Sequence, residues 1–512
     1  MENIYPGVRC DIPANVYQST FSPNTQWSQQ FAEGAEIRGY WQDIARKYDV
    51  YKYIRFGHQV TGLDWDAAAA KWRVSLKTNE QELLEDFDFV LPAIGHFNDW
   101  RLPEYPGIEE YKGLLRHTSN WDPTFDPAGK RVAVIGNGAS GIQVVPNLQR
   151  IAAHVDHYAR NKTWVAASWA GDVRTFEPQY FSPEQLKSFE DPDTYLKYRK
   201  ELEEKYWRGF RSVFRGSEQN EKVRTTSVEL VKQRLASHPE LADSVIPDFP
   251  PSCRRLTPGP GYLEALVAPN VTYVTTPIER FTATGITTTD GVNRPVDAVF
   301  AATGANTDFK PPFPITANNI DLRSAWLPGG KWGYPYTYLG FATPEIPNLL
   351  WILGAHAAGA SGTVTHAVEL QITYYAKLLR KVSSQGIRSI APSTPATDDF
   401  IAYANRFFPA TVFSENCSSW ANSGVAGSFI HGHWPGSASH LALVRREPRW
   451  EDWVYTYHGS HADGAAETKD RFAYFGAGWT KRELDVGFDI TAYLKKPGED
   501  VDLKSLHENW WE

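Results

Sequence analysis

The chain has 512 residues, 42% hydrophobic and 22% charged, with a formal net charge of −8, a length that accommodates roughly two to four domains. No long basic run is present to attract a polyanion such as nucleic acid, no apolar run approaches the ~20 residues needed to span a bilayer, and the opening MENIYPGVRC lacks an apolar signal region, so no membrane partner and a cytoplasmic location are expected. The three cysteines, Cys10, Cys253 and Cys417, lie far apart without CxxC or metal-like spacing, which predicts a reducing compartment and no metal centre.

From Tyr5 to about Phe125 the pattern mixes short strands with one helix, Gly34 to Tyr48; Tyr51–Gly57, Lys71–Lys77 and Asp86–Ala93 are expected as strands of one sheet. Arg131 to Ile135 reads as a buried strand entering the turn Gly136-Asn137-Gly138-Ala139-Ser140-Gly141-Ile142. In this GxGxxG the first glycine permits a tight turn, the second lets backbone approach a pyrophosphate, and the third packs helix on strand. The apolar helix that follows (Val144, Val145, Leu148) supports a dinucleotide site. After a second strand, His154 to Tyr158, come Arg160, Asn161 and Lys162 rather than a carboxylate. An arginine there accommodates a 2′-phosphate, favouring NADPH over NADH.

Between about Phe176 and Ser244 the sequence turns polar and helical. Sheet character is expected again at Ser252–Leu266 and in VTYV, in the hairpin-like TGITTTDGV, and in the buried AVFAATG. Leu350–Gly354 reads as a further strand, His366–Lys381 as an amphipathic helix, and Pro392–Pro395 as a linker.

Ahead of the glycine turn stands Tyr111-x-Gly113-x-x-x-His117-x-x-x-Trp121-Asp122. This segment resembles the fingerprint of the Baeyer–Villiger monooxygenases, a branch of the flavin monooxygenases, with Tyr111 where Phe is usual. The resemblance runs from Tyr5 to about Trp453. It implies an α/β fold with two dinucleotide-binding (Rossmann-like) domains and a helical insertion: residues 1–125 as the first part of an FAD-type domain, 126–170 and 251–310 as the NADP-binding domain, 171–250 as the insertion, 311–395 as the second FAD-type part, and 396–512 as a C-terminal extension. It also implies transfer of hydride from NADPH to FAD, activation of O2, and insertion of one oxygen beside the carbonyl of an apolar ketone, with a place in secondary metabolism.

By the same resemblance Arg9, Cys10 and Asp11 border both cofactors, and Asp11, Tyr17 and Val60 touch the flavin. Arg254 replaces a usual Lys that reaches the NADP 2′-phosphate. Arg255 is the expected catalytic cation, positioned by Asp11, because an always-charged donor is what an anionic oxygenating species in a dry pocket requires. His117 belongs to a linker and is expected to act structurally. Trp420 is followed by Ala421 where relatives place Tyr. GAHAAGASGT, from Gly354, departs from the usual flavin-side loop. The family's first GxGxxG, which holds the FAD pyrophosphate, has no counterpart in the sequence, so the first domain is expected to be N-terminally truncated, and the chain alone poorly soluble and colourless. A flavin-free relative catalysing an isomerisation, cyclisation or hydrolysis, or a non-catalytic partner subunit, are the alternatives that this departure raises.

Overall fold

The computed structural model describes residues 2–165, 179–458, 475–491 and 494–500; the start of the expected helical stretch at Phe176 and the expected boundary at residues 170 and 171 lie outside them. The chain divides into two compact units, Met1–Ala376 with Ala391–Val454, and Lys377–Ile390 with Tyr455–Glu512. Strand Ile387–Pro392 pairs with strand Trp453–Tyr457.

The first unit is organised around a parallel five-stranded sheet in the order Leu114–His117, Ala298–Ala301, Arg131–Ile135, His154–Tyr158, Val271–Val274. These strands read as apolar runs because both faces are covered; Val132, Ala133, Val134, Val155, Ala298, Val299, Phe300 and Ala301 are fully buried. The chain leaves Arg131–Ile135 with neighbours running away on both sides, the switch point where an open α/β sheet leaves a crevice. Helix Ala139–Gln149 starts at that crevice. Gly136 takes φ +105°, and a Cβ on it would meet the Ala302 carbonyl at 2.5 Å; one on Gly141 would meet the Gly136 carbonyl at 2.0 Å. The first and third glycines are therefore steric requirements, and the Ala301–Gly304 element closes directly onto the turn.

The fingerprint segment ties this sheet together. Tyr111 donates its hydroxyl to the Val296 carbonyl at 2.8 Å, and Trp121 stacks on Phe300 with ring centroids 4.3 Å apart. A Cβ at position 113 would fall 2.6 Å from the Asp297 carbonyl, which explains the glycine.

A second sheet, in the order Ile320–Asp321, Ile315–Ala317, Gln59–Asp66, Lys71–Lys77, Glu82–Phe87, holds the first region. Here the expectation needs correction: Tyr51–Gly57 forms no strand. Val50–Tyr53 is a 3-10 turn with Tyr53 and Phe56 exposed, since no described strand lies alongside to take its ladder hydrogen bonds. Leu350–Gly354 is likewise reduced to a parallel bridge, Val90 with Leu349, continued by Leu350 N–H to Val90 O and Ile352 N–H to Pro92 O. Ser252–Gly261 forms no strand either; helix Tyr262–Leu266 follows it.

The polar stretch forms helices Pro183–Ser188, Pro192–Arg208, Glu218–Arg234 and Pro239–Val245. Three are capped by Ser182, Asp191 and Ser217, two with proline in the first turn. Tyr195 docks this layer on the N-terminal segment, donating to Asn24 O at 2.6 Å and accepting from Gln18 at 2.7 Å. Leu202 and Tyr206 pack with Ile12 and Val16.

The cysteine expectation is also corrected. Cys253 and Cys417 are joined by a disulfide, with Cα atoms 6.6 Å apart, in a cluster with Phe408, Val412 and Phe413; only Cys10 is a free, buried thiol. Sequence separation hid the pair, because 164 residues divide them.

Two outcomes test this architecture. Phe300→Ala removes a fully buried ring from the central sheet and should cost about 3–5 kcal/mol in denaturant unfolding. Protein unfolded without reductant should react with a thiol reagent at Cys10 alone, and at all 3 cysteines after reduction; three reactive thiols in the untreated protein would contradict the disulfide.

Candidate functional site

At the crevice the N-terminus of helix Ala139–Gln149 is open: a Cβ on Gly138 would meet nothing within 4 Å. The exposed N–H groups of a helix start and the helix dipole together suit a phosphate. Asn137, which donates to the Asn161 carbonyl at 2.5 Å, fixes the turn against the loop after the second strand. Ile142 is buried beneath it, and on the same helix Gln143 accepts from Tyr5 at 2.9 Å and donates to the Arg9 carbonyl at 3.2 Å. The segment carrying Arg9, Cys10 and Asp11 is thus bolted to the glycine-rich unit. Arg9 itself turns to Gln29 and Glu33.

Burial lowers the pKa of Arg254, and the neighbouring Arg160 charge lowers it further. Two guanidinium groups held near one another, with no carboxylate among the described residues acting on Arg254, are electrostatically set for an anion. Arg254 is anchored by Nε to the Ser418 carbonyl at 2.7 Å and by Nη2 to Ser418 Oγ at 2.8 Å. Its five donors leave others available.

Arg255 takes a different partner. Its Nε and Nη2 donate to the two carboxylate oxygens of Asp11, the second at 3.0 Å, a bidentate geometry that fixes the guanidinium plane. Burial pulls its pKa down, but Asp11, Tyr17 and Tyr206 outweigh that and hold it above the usual arginine value. The side chain remains 40% accessible, so the cation is both locked and reachable. Tyr17 is a nearby phenol whose pKa burial raises.

Sequence reasoning missed a histidine cluster. His96, His356, His431 and His433 each have a buried Nδ1 without a hydrogen-bond partner. Burial lowers the pKa values of His96 and His356 to about 4. It lowers those of His431 and His433 to about 3, with repulsion from the other imidazoles and, for His433, from Arg255. All four are neutral at pH 7. Aromatic rings interleave them: Phe309 lies 4.4 Å from His96 and 5.0 Å from His431, and Trp420 lies 4.5 Å from His433. Leaving a buried polar atom unpaired costs about 1–3 kcal/mol, so four in one place make the cluster a candidate site. Only the tripeptide His431-Gly432-His433 hinted at it in sequence.

His96 also borders a cavity of about 40 Å³ lined by Phe309, Trp351 and Gly354, where the loops after Val90 and Leu349 meet. Val60 stands apart on the mixed sheet, opposite Leu76. The buried thiol of Cys10 is pushed well up in pKa, so it packs rather than reacts. His117 is buried, accepts from Ser119 N–H at 3.1 Å, stacks on Trp100 and pairs in register with Ala301; burial lowers its pKa. These contacts join the fingerprint segment to the central sheet. Among the described residues no group of three or more His, Cys, Asp or Glu could hold a metal ion, and no helix is long and apolar enough to cross a membrane.

Comparison with known proteins identifies the family. The model of the flavin-binding monooxygenase-like family matches residues 17–174. The FAD-binding monooxygenase tazF of Aspergillus terreus is 32% identical over 96% of this chain and 87% of its own. A Baeyer-Villiger monooxygenase of Pseudomonas aeruginosa is 28% identical over 87% of this chain and 82% of its own. The fold superposes on closed cyclohexanone monooxygenase with a TM-score of 0.74 at 21% identity, covering 89% of this chain and 91% of that one. It superposes on OTEMO in complex with FAD and NADP with a TM-score of 0.75 at 23% identity, covering 89% and 92%. The chain therefore belongs to the flavin-binding monooxygenase family and is a flavin-dependent enzyme of the type that includes the Baeyer–Villiger monooxygenases.

Proposed function

We propose that the enzyme uses NADPH and FAD to insert one oxygen atom from O2 beside the carbonyl of an apolar ketone. The observation that carries this reading is the Asp11–Arg255 pair, a locked but accessible cation next to a dinucleotide crevice and a wall of neutral, ring-lined groups.

The nicotinamide cofactor fits the residues present. The open N-terminus at Gly138, with Ala139, Ser140 and Gly141 behind it, would take the pyrophosphate, and Arg160 with Arg254 the 2′-phosphate. The flavin fits on its ring side, where Asp11 and Tyr17 meet Arg255; the sequence holds a single GxGxxG, so no residue is assigned to the flavin pyrophosphate. Together the two cofactors supply hydride delivery and oxygen activation. The chain's own work is electrostatic. Arg255 stabilises negative charge developing on oxygen, in a setting where a fixed cation counts for more than in water. Asp11 fixes where that cation points. The insertion helices, sealed onto Ile12 and Val16 by Leu202 and Tyr206, exclude water from this side. His117 moves no proton.

Two substitutions separate binding from chemistry. Arg160→Ala removes a charge-assisted contact worth about 1.5–3 kcal/mol, so NADPH affinity should fall at least tenfold while NADH affinity barely changes; an unchanged cofactor preference would contradict the assignment. In flavin-loaded protein, Arg255→Ala should abolish ester or lactone formation while NADPH still binds, read by product analysis from a panel of cyclic, linear and aryl ketones. Retained product formation would remove Arg255 from the chemistry.

A further inference from the structure

Among the four clustered imidazoles, three are already committed, His96 by a hydrogen bond to the Leu353 backbone. His356 Nε2 meets the Ile430 carbonyl at 2.9 Å, and His431 Nε2 meets Ser423 Oγ at 2.7 Å. His433 differs: it makes no hydrogen bond to any described residue, although it is only 8% exposed. Its ring is held between Phe413, at 4.3 Å, and Trp420, at 4.5 Å, and its backbone is fixed because His431 and Gly432 both donate N–H to the Ala421 carbonyl. A Cβ on Gly432 would strike the Trp420 ring at 2.7 Å, so His433 is carried to its place by a glycine that permits close approach. The ring is positioned, not merely packed.

The protons of that ring can be placed. Nδ1 is sealed within the protein and has no partner, whereas Nε2 is not sealed in the same way. Native interiors tolerate an unpaired lone pair more readily than an unpaired N–H. The proton therefore sits on Nε2, at the ring's open edge, and needs an acceptor. Among the described residues no carboxylate acts on the His433 ring: Asp11 is paired with Arg255, and the neighbouring imidazoles are neutral at pH 7. An uncharged oxygen acceptor is what fits. Arg255 lies close enough to His433 for the two to repel, and the same peptide run ties them mechanically through the Cys253–Cys417 bond and the Arg254–Ser418 contacts.

We infer that His433 is a substrate-contacting catalytic residue whose Nε2–H donates a hydrogen bond to the carbonyl oxygen of the ketone, beside the Arg255 cation. The inference rests on the ketone oxygenase reading and adds to it the group that orients the substrate. The carbonyl is polarised by a neutral donor, so Arg255 is not the group called on to bind it. His96 and His431, across Phe309, line the approach without supplying that bond.

The test uses flavin-loaded protein held oxidised with NADP+, and acetophenone labelled with carbon-13 at the carbonyl as the probe. Infrared difference spectra should show the bound carbonyl stretch at lower frequency in the wild type than in His433→Phe, which keeps a ring between Phe413 and Trp420 but has no donor. His433→Asn, which restores a donor, should recover part of the shift and serves as the folded control. In turnover, His433→Phe should lower kcat/KM for the same ketone at least tenfold with unchanged NADPH affinity. Identical carbonyl frequencies in wild type and His433→Phe, or no bound carbonyl band in the wild type, would overturn the assignment. A shifted band in a wild-type enzyme that makes no ester would sustain the donor and instead contradict the oxygenase reading.

Discussion

The ion pair between Asp11 and Arg255 closes a loop of 244 residues, and most of the site depends on it. Asp11 reaches it because Tyr5 and the Arg9 carbonyl are fastened to Gln143, on the helix that begins at the glycine-rich turn. Arg255 reaches it from a segment without regular structure, held by the disulfide at Cys253 and by the Ser418 contacts of Arg254. A guanidinium on an irregular loop has considerable side-chain entropy to lose. The covalent bond and the bidentate carboxylate remove it before any ligand arrives, which is the sense in which the cation is preorganised.

Two adjacent arginines thus acquire different work from their neighbours. Burial and the neighbouring Arg160 charge depress the pKa of Arg254, and among the described residues no carboxylate offsets them. Arg255 faces Asp11 and two phenols, and its pKa is raised. Around them the imidazoles contribute polarity without charge. On the proposed reading, one position of the crevice would hold an anion by attraction and another would meet charge that develops during reaction, beside a wall of neutral imidazoles and aromatic rings.

Much of this was legible in the residues. Gly136, Gly138 and Gly141 declared the turn because their steric need is local, and Tyr111 to Asp122 carried enough spaced identities to point to the family. Asp11 and Arg255 were found through resemblance; no spacing rule joins residues so distant. The histidines escaped for a related reason: His96, His356 and the His431–His433 pair converge only when three separate loops meet. The disulfide was misjudged because pairing is a property of the fold, not of sequence distance. Tyr51–Gly57 was misjudged because a strand exists only with a neighbour to bond, and propensity says nothing about the neighbour.

The oxygenase account is tested most directly by following the oxygen atom. Flavin-loaded enzyme, NADPH and a ketone, turned over under isotopically heavy O2 in ordinary water, should give an ester or lactone with one heavy oxygen per molecule, in the newly made C–O–C linkage, and the other heavy atom in water. A product without the label, or one that takes its new oxygen from solvent, would contradict the account.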